Sequence, residues 1–183
     1  MLQDIGLLIL RLVVGGLLGG HGSQKLFGWF GGFGIKGTAG WLESMGLKPG
    51  YLWATGAATS EFGGGALTAL GFLHPLGPIA TIAAMAMATA KAHWGKPIWV
   101  TEGGAELPVT NIAAALALAF AGPGRISLDT LFGIRLPRTL VAAVIIVEAV
   151  LVAVGVASRP AQSPAAEEHA SAKVEGGQGA ESL

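Results

Sequence analysis

Residues 139–157 read TLVAAVIIVEAVLVAVGVA, a run of mainly aliphatic side chains that contains a single charged residue, Glu148. A helix needs roughly 17–25 mainly apolar residues to cross the hydrocarbon core of a bilayer, and this run falls within that range. Four more apolar blocks precede it, at residues 5–20, 51–72, 76–92 and 107–121. Five such blocks cannot all lie at the centre of one soluble domain. The pattern therefore predicts an all-α transmembrane helical bundle.

The composition of the chain supports a lipid environment and excludes several classes of protein. Hydrophobic residues make up 52% of the 183 residues and charged residues only 12%, about half the share that is usual in soluble domains. Without cysteine, the chain has no disulfide framework and no thiol nucleophile. The equal numbers of acidic and basic residues indicate no nucleic-acid binding. We expect a multi-pass protein of a cell membrane, of the bacterial inner-membrane type, whose main partner is the lipid bilayer.

Small residues recur at helical spacing inside the apolar blocks. In lipid, helices associate by close approach of their backbones, which small side chains permit. Three stripes predict a tightly packed bundle: Gly15, Gly16, Gly19 and Gly20 in the first block, Ala80, Ala84 and Ala88 in the third, and Ala113, Ala117 and Ala121 in the fourth.

The connection between the first two blocks, residues 21–50, is long and rich in aromatic residues and glycine. Aromatic rings are favoured at the depth of the lipid headgroups. This composition predicts an interfacial loop, and part of it can re-enter the bundle where it is surrounded by protein.

Three ionisable residues lie deep in the apolar blocks: Arg11, Glu61 and Glu148. Charged side chains are costly at membrane depth and therefore indicate a pairing or a function. We call the face where the chain starts face A and the opposite one face B. If the first helix ends near His21, Arg11 and Glu61 both lie roughly 15 Å from face B, because a helix rises about 1.5 Å per residue. The sequence thus predicts an Arg11–Glu61 pair near the midplane. Glu148 is also near mid-depth and could pair with Arg11 in place of Glu61.

A second polar group is expected at face B, where the first and third blocks both end. His21 and Lys25 are four residues apart and share a helix face if the helix continues, and Lys91 and His93 end the third block. Together with the Arg11–Glu61 pair they form a candidate site. Its histidines could donate hydrogen bonds to a quinone carbonyl or relay protons. The alternatives are that the lysines reach to headgroups, that the histidines are interfacial and that the Arg–Glu pair is structural.

Several short motifs resemble those of the DoxX family of integral membrane proteins. The first is Arg11-Leu12 to Gly15, followed by HGSQKLFGWFGG at residues 21–32. Glu61 with Gly63-Gly64 is similar to the second-helix pattern of the family, and Met85 with His93 is similar to the third. The run GPGRISLD at residues 122–129 resembles the motif that follows the fourth helix. The resemblance covers roughly residues 1–130.

The resemblance implies a bundle of four transmembrane helices over residues 1–130. The chain departs from the family by adding residues 131–157, a linker with a fifth C-terminal transmembrane helix. Residues 158–183 are rich in Ala, Ser, Gly, Pro and Glu, and this composition predicts a disordered tail. Some members of the family are linked to quinone-coupled oxidation of thiosulfate, or to membrane complexes that handle oxidative stress.

Two functions follow as hypotheses. In the first, the chain is the membrane subunit of a quinone-linked oxidoreductase: His21, Glu61 and His93 act on a quinone, Arg11 and Lys25 help to bind it, and a protein partner supplies electrons. No metal site is predicted, because the chain has neither Cys nor an H-x-x-x-H motif. In the second, the chain is a non-enzymatic scaffold or a carrier of small solutes, which the lack of any cofactor motif favours.

Overall fold

A computed structural model describes residues 1–158, which contain α-helices joined by turns and short 3₁₀ segments and no β-strand. The α-helices are α1 (Leu2–Phe27), α2 (Gly34–Ser44), α3 (Gly50–Leu70), α4 (Leu76–Ala88), α5 (Glu106–Ala121), α6 (Leu128–Phe132) and α7 (Arg138–Ala157). A π-helical turn, Thr89–His93, extends α4. The all-helical bundle predicted from the sequence is confirmed. The predicted tail from residue 159 onward lies outside the described residues.

Two helices, α1 and α7, have both the length and the hydropathy of a membrane span, whereas α5 is apolar but shorter. Helix α3 has sufficient length but many small and hydroxyl-bearing residues, because it packs against α1, α2 and α4 rather than facing lipid along its whole circumference. Helix α7 packs against α4 alone among the larger helix contacts and has only one buried residue, Gly155.

Burial in the bundle is inverted relative to a water-soluble protein. Large aliphatic and aromatic side chains such as Leu17, Phe120 and Ile146 are exposed on the outer surface. Arg11 and Glu61, by contrast, retain only 3% and 4% of their accessible surface. An apolar exterior around buried polar groups matches lipid as the surrounding solvent.

Close approach of α1 and α3 depends on glycines that face each other. A Cβ on Gly15 would lie 2.9 Å from the Cβ of Ala69, and one on Gly65 would lie 2.6 Å from the carbonyl oxygen of Gly15. A Cβ on Gly16 or Gly20 would meet nothing within 4 Å. In the first predicted stripe, Gly15 and Gly19 therefore pack against α3, whereas Gly16 and Gly20 do not.

The other two stripes have different outcomes. In α4, Ala80 lies against Gly64 of α3 and supports helix packing, whereas Ala84 and Ala88 of the same stripe line a cavity. In α5, Ala113, Ala117 and Ala121 are exposed, and the buried face is formed by Ala115 and Leu118. The predicted packing role of the α5 stripe is wrong, because a spacing of four residues does not specify which side of a helix faces its neighbours.

The region predicted as an interfacial loop is largely helical. Helix α1 continues through residue 27, and α2 begins seven residues later and packs against α3. The connection retains exposed aromatic side chains, including Trp29, Phe30 and Phe33, which suit headgroup depth. Part of the region does return to the bundle, as a helix rather than as irregular chain.

A polar cap closes the bundle at face A and joins three separate parts of the chain. Arg11 of α1 donates hydrogen bonds to the carbonyl oxygens of Pro123, at 2.6 Å, and Ile126. The carboxylate of Asp129 accepts hydrogen bonds from the backbone N–H groups of Leu73, at 2.8 Å, and His74, at 2.7 Å. The cap thus ties α1, the α3–α4 turn and the segment after α5 together.

Two further features complete the polar cap. Gly71 has a φ of 59°, and any Cβ at this position would collide with the guanidinium of Arg11, so only glycine fits. The ring of His74 is half-buried beside the carbonyl of Ala119, at 3.3 Å from its Nε2 atom. Burial lowers the pKa of His74 below its ordinary value, so the ring is neutral at pH 7.

The predicted Arg11–Glu61 pair is wrong, and the length of α1 explains why. The helix ends at Phe27 rather than near His21, which adds six residues, or about 9 Å, between Arg11 and the face-B end. Arg11 therefore lies toward face A, within reach of the chain that follows α5. Glu61 remains near the middle of α3 and finds another partner.

Candidate functional site

A cavity of about 370 Å³ lies among α2, α3, α4 and α7. Its lining is mainly apolar, and its polar or aromatic members are Lys25, Trp41, Trp53, Ser60, Glu61, Lys91 and Glu148. Cavities of this size, lined by hydrophobic side chains with a few polar groups, are typical of sites for small molecules. The cavity can therefore accept a lipophilic molecule with a polar head.

The central polar feature of the cavity is an ion pair between Lys25 and Glu61. The Nζ atom of Lys25 donates a hydrogen bond to Oε2 of Glu61. Glu61 is buried, whereas about a quarter of the lysine side chain is exposed. A buried carboxylate needs such a partner, because an isolated charge at this depth is costly. The extension of α1 to Phe27 is what brings Lys25 to α3.

A second lysine reaches the cavity from the π-helical turn at the end of α4. The Nζ atom of Lys91 donates a hydrogen bond to the carbonyl oxygen of Ser158, at 2.5 Å, and thereby ties the end of α7 to α4. Single π-helical turns are found frequently at functional sites. Lys91 also lines the cavity, so it can contact a bound molecule as well as the end of α7.

Two further polar groups in the cavity lie apart from this pair. The hydroxyl of Ser60 is buried and has no hydrogen-bond partner within residues 1–158. Glu148 of α7 faces the cavity, and neither of the two ion pairs in the described chain, Met1–Asp4 and Lys25–Glu61, includes it. Both groups are available to a ligand.

Of the five predicted site residues, the structure brings two together in the cavity, Lys25 and Glu61. Arg11 belongs to the polar cap. The side chain of His21 is exposed, and its Nδ1 atom lies 3.0 Å from Oε1 of Gln24, whereas the neighbouring Gly22 faces the backbone of Phe62 in α3. The Nδ1 atom of His93 lies 2.7 Å from the carbonyl oxygen of Gly103 in the α4–α5 connection.

The predicted single pocket of five residues therefore does not form. Its lysine and glutamate remain as a candidate site, but its arginine and histidines serve local contacts elsewhere. Trp41, Trp53 and Ser60 were missed by sequence reasoning. Trp41 belongs to α2, which was predicted as loop, and the depth of Glu148 was the one signal that pointed to a role for α7. Within residues 1–158, no cluster of three His, Asp or Glu side chains could hold a metal ion.

Comparison with known proteins supports the resemblance seen in the motifs. The family model named DoxX matches residues 6–94, which include nearly all of α1 and all of α2, α3 and α4. The match stops before the GPGRISLD motif and before α7. No curated protein and no solved structure matches the chain. Residues 6–94 of this membrane-type bundle are therefore a DoxX domain.

Proposed function

We propose that this protein binds a quinone in the cavity among α2, α3, α4 and α7 and serves as the membrane subunit of a quinone-linked oxidoreductase in the cell membrane. The observation that carries the proposal is a lysine–glutamate pair with a buried carboxylate in the wall of an apolar cavity. A quinone has the matching chemistry, because its isoprenoid tail is apolar and its carbonyl oxygens accept hydrogen bonds.

The residues of the cavity fit such a ligand. An ammonium group has three N–H donors, and the pair with Glu61 uses one of them, so Lys25 can also donate to a quinone carbonyl. The carboxylate of Glu61 accepts a hydrogen bond from Lys25 and is placed to accept a proton from a bound molecule. Trp41 and Trp53 offer flat apolar surfaces for the ring. Bound quinone would supply two-electron redox chemistry, and a protein partner would supply the electrons.

The tryptophans that line the cavity provide a test of quinone binding. In a variant with Trp29, Trp94 and Trp99 replaced by phenylalanine, the remaining indoles are Trp41 and Trp53. We expect decylubiquinone to quench this fluorescence saturably. Adding Lys25→Met should weaken binding by about tenfold, the effect of losing one hydrogen bond to a charged group.

Two matched variants control this experiment. Lys36→Met removes an exposed lysine of α2 and should leave binding unchanged. The double variant Lys25→Met with Glu61→Gln avoids leaving a buried unpaired carboxylate, so it should fold even if the single variant does not. Saturable quenching that is equally strong in this double variant, or no quenching in the parent, would contradict the proposal. The second result would favour a scaffold or a carrier of small solutes.

A further inference from the structure

The cavity is walled by four helices, but only three of the junctions between neighbouring walls are packed. Within residues 1–158, α2 packs on α3, α3 on α4 and α4 on α7, whereas α7 and α2 make no comparable contact. Helix α7, which lies outside the DoxX domain, therefore completes the cavity on one side and leaves it open on the other. We call this opening the α2–α7 gap.

The rim of the α2–α7 gap is apolar. In the described chain, four of the residues that line the cavity are exposed: Trp41 of α2, Leu52 and Gly56 of α3, and Leu151 of α7. The ionisable residues of the lining are instead buried or half-buried. In membrane proteins, polar groups face the interior of the bundle and apolar groups face the lipid. An apolar rim around a polar interior therefore indicates an opening to lipid rather than to water.

Two helices give the same depth for the gap. Gly56 lies six residues after the start of α3 at Gly50, and Leu151 lies six residues before the end of α7 at Ala157. At about 1.5 Å per residue, both are roughly 9 Å from face B. Because the hydrocarbon core is about 30 Å thick, this depth lies among the acyl chains of the leaflet at face B.

Toward the water at face B, contacts of α7 with α3 and α4 cover the cavity. A Cβ on Gly155 would lie 3.3 Å from Cη2 of Trp53 and 2.8 Å from the sulfur of Met87. Three residues further along, the carbonyl oxygen of Ser158 accepts the hydrogen bond from Lys91. These contacts lie between the gap and the end of α7, so the gap offers the more open route to the cavity.

The volume of the cavity limits what it can enclose. At about 370 Å³, it is near the lower end of the range for small-molecule sites, roughly 300–1,000 Å³. It can hold a quinone ring, but not a chain of many isoprene units as well. We propose that the α2–α7 gap is a lateral portal through which a quinone enters from the leaflet at face B, and in which its chain remains while the ring lies in the cavity. This inference rests on the proposed quinone site and adds its route of access and its need for a ligand with an apolar chain.

Gly56 allows the portal to be obstructed, because a Cβ at this position would meet nothing within 4 Å. Gly56→Phe in lipid nanodiscs should weaken binding of decylubiquinone by about tenfold, since the added ring crowds the space that the chain occupies. Binding of the same quinone head with a methyl group in place of the decyl chain should change by less than about twofold. Gly63→Phe, at an equally open position of α3 outside the cavity, should change neither affinity.

A second measurement tests the portal without any quinone. Trp41 is made the only indole by replacing the other four tryptophans with phenylalanine. Because about half of the Trp41 surface is exposed at the rim, phospholipids brominated in their acyl chains should quench its fluorescence. Iodide, which stays in water, should have little effect.

The outcomes separate this inference from the function on which it rests. Quenching of Trp41 by iodide and not by brominated lipid overturns the portal, whatever the cavity binds. Wild-type protein that binds neither quinone contradicts the proposed function, and the quinone portal with it. Equal binding of decylubiquinone by wild type and Gly56→Phe overturns the portal and leaves the quinone site standing. An equal loss of both ligands would mean that the ring fills the cavity itself, which overturns the role of the chain. A head analogue that fails to bind wild type supports the need for a chain.

Discussion

Asp129→Ala is expected to destabilise the protein by about 3 kcal/mol, because it leaves the two partly buried backbone N–H groups of Leu73 and His74 without their acceptor. Asp129 retains only 5% of its accessible surface, so water cannot easily replace the carboxylate. The loss should appear as a lower midpoint of thermal unfolding in detergent, followed by circular dichroism.

Two variants control the Asp129 experiment. Asp129→Asn keeps one acceptor oxygen and should recover part of the loss. Glu102→Ala changes an exposed residue of the α4–α5 connection and should alter the unfolding free energy by less than about 0.5 kcal/mol. An Asp129→Ala protein as stable as wild type would show that the polar cap does not hold the bundle together at face A.

Gly65→Ala is expected to destabilise the bundle by about 1–3 kcal/mol, although it adds only one methyl group. That methyl would lie 2.6 Å from the carbonyl oxygen of Gly15 and 2.9 Å from the Cα of Gly19, so α1 and α3 would have to move apart. A lower unfolding midpoint in detergent and a larger share of aggregated protein on size-exclusion chromatography should report the change.

The same helix provides a matched control for Gly65. A Cβ on Gly63 would meet nothing within 4 Å. Gly63→Ala should therefore be neutral or slightly stabilising, since alanine is favoured over glycine in a helix interior. If the two alanine variants were equally stable, close approach of α1 and α3 at Gly65 would not contribute to the fold.

The fold could be predicted from the sequence to the level of its five apolar helices and their approximate positions, whereas α2 and α6 were not predicted. Five apolar blocks correspond to α1, α3, α4 with its π-helical turn, α5 and α7, of which α1 and α7 have the length and hydropathy of a membrane span. The end of α1 was placed too early, at His21. A polar segment such as HGSQK can continue a helix when its inner face packs on a neighbour, and composition alone does not reveal that neighbour.

The candidate site could be predicted only in part. The Arg11–Glu61 pair was predicted wrongly because the depth of each residue was counted from an incorrect end of α1. An error of six residues at the end of α1 misplaces Arg11 by about 9 Å along the helix axis. Glu61 therefore pairs with Lys25 and not with Arg11. The buried carboxylate Glu61 was predicted correctly as needing a cation. The side of each helix that faces the cavity depends on tertiary packing, which is why Trp41, Trp53 and Ser60 gave no usable signal.

The proposed function places a quinone head beside the Lys25–Glu61 pair, and photolabelling with an azidoquinone probes this position. Labelled peptides would be mapped by mass spectrometry, with and without excess decylubiquinone. We predict labels on cavity-lining segments of α2, α3, α4 or α7 that excess decylubiquinone prevents and that Lys25→Met reduces. Labels confined to the exposed aromatic residues 29–33 or to the surroundings of His21 and His93, or labels that decylubiquinone does not displace, would contradict the claim.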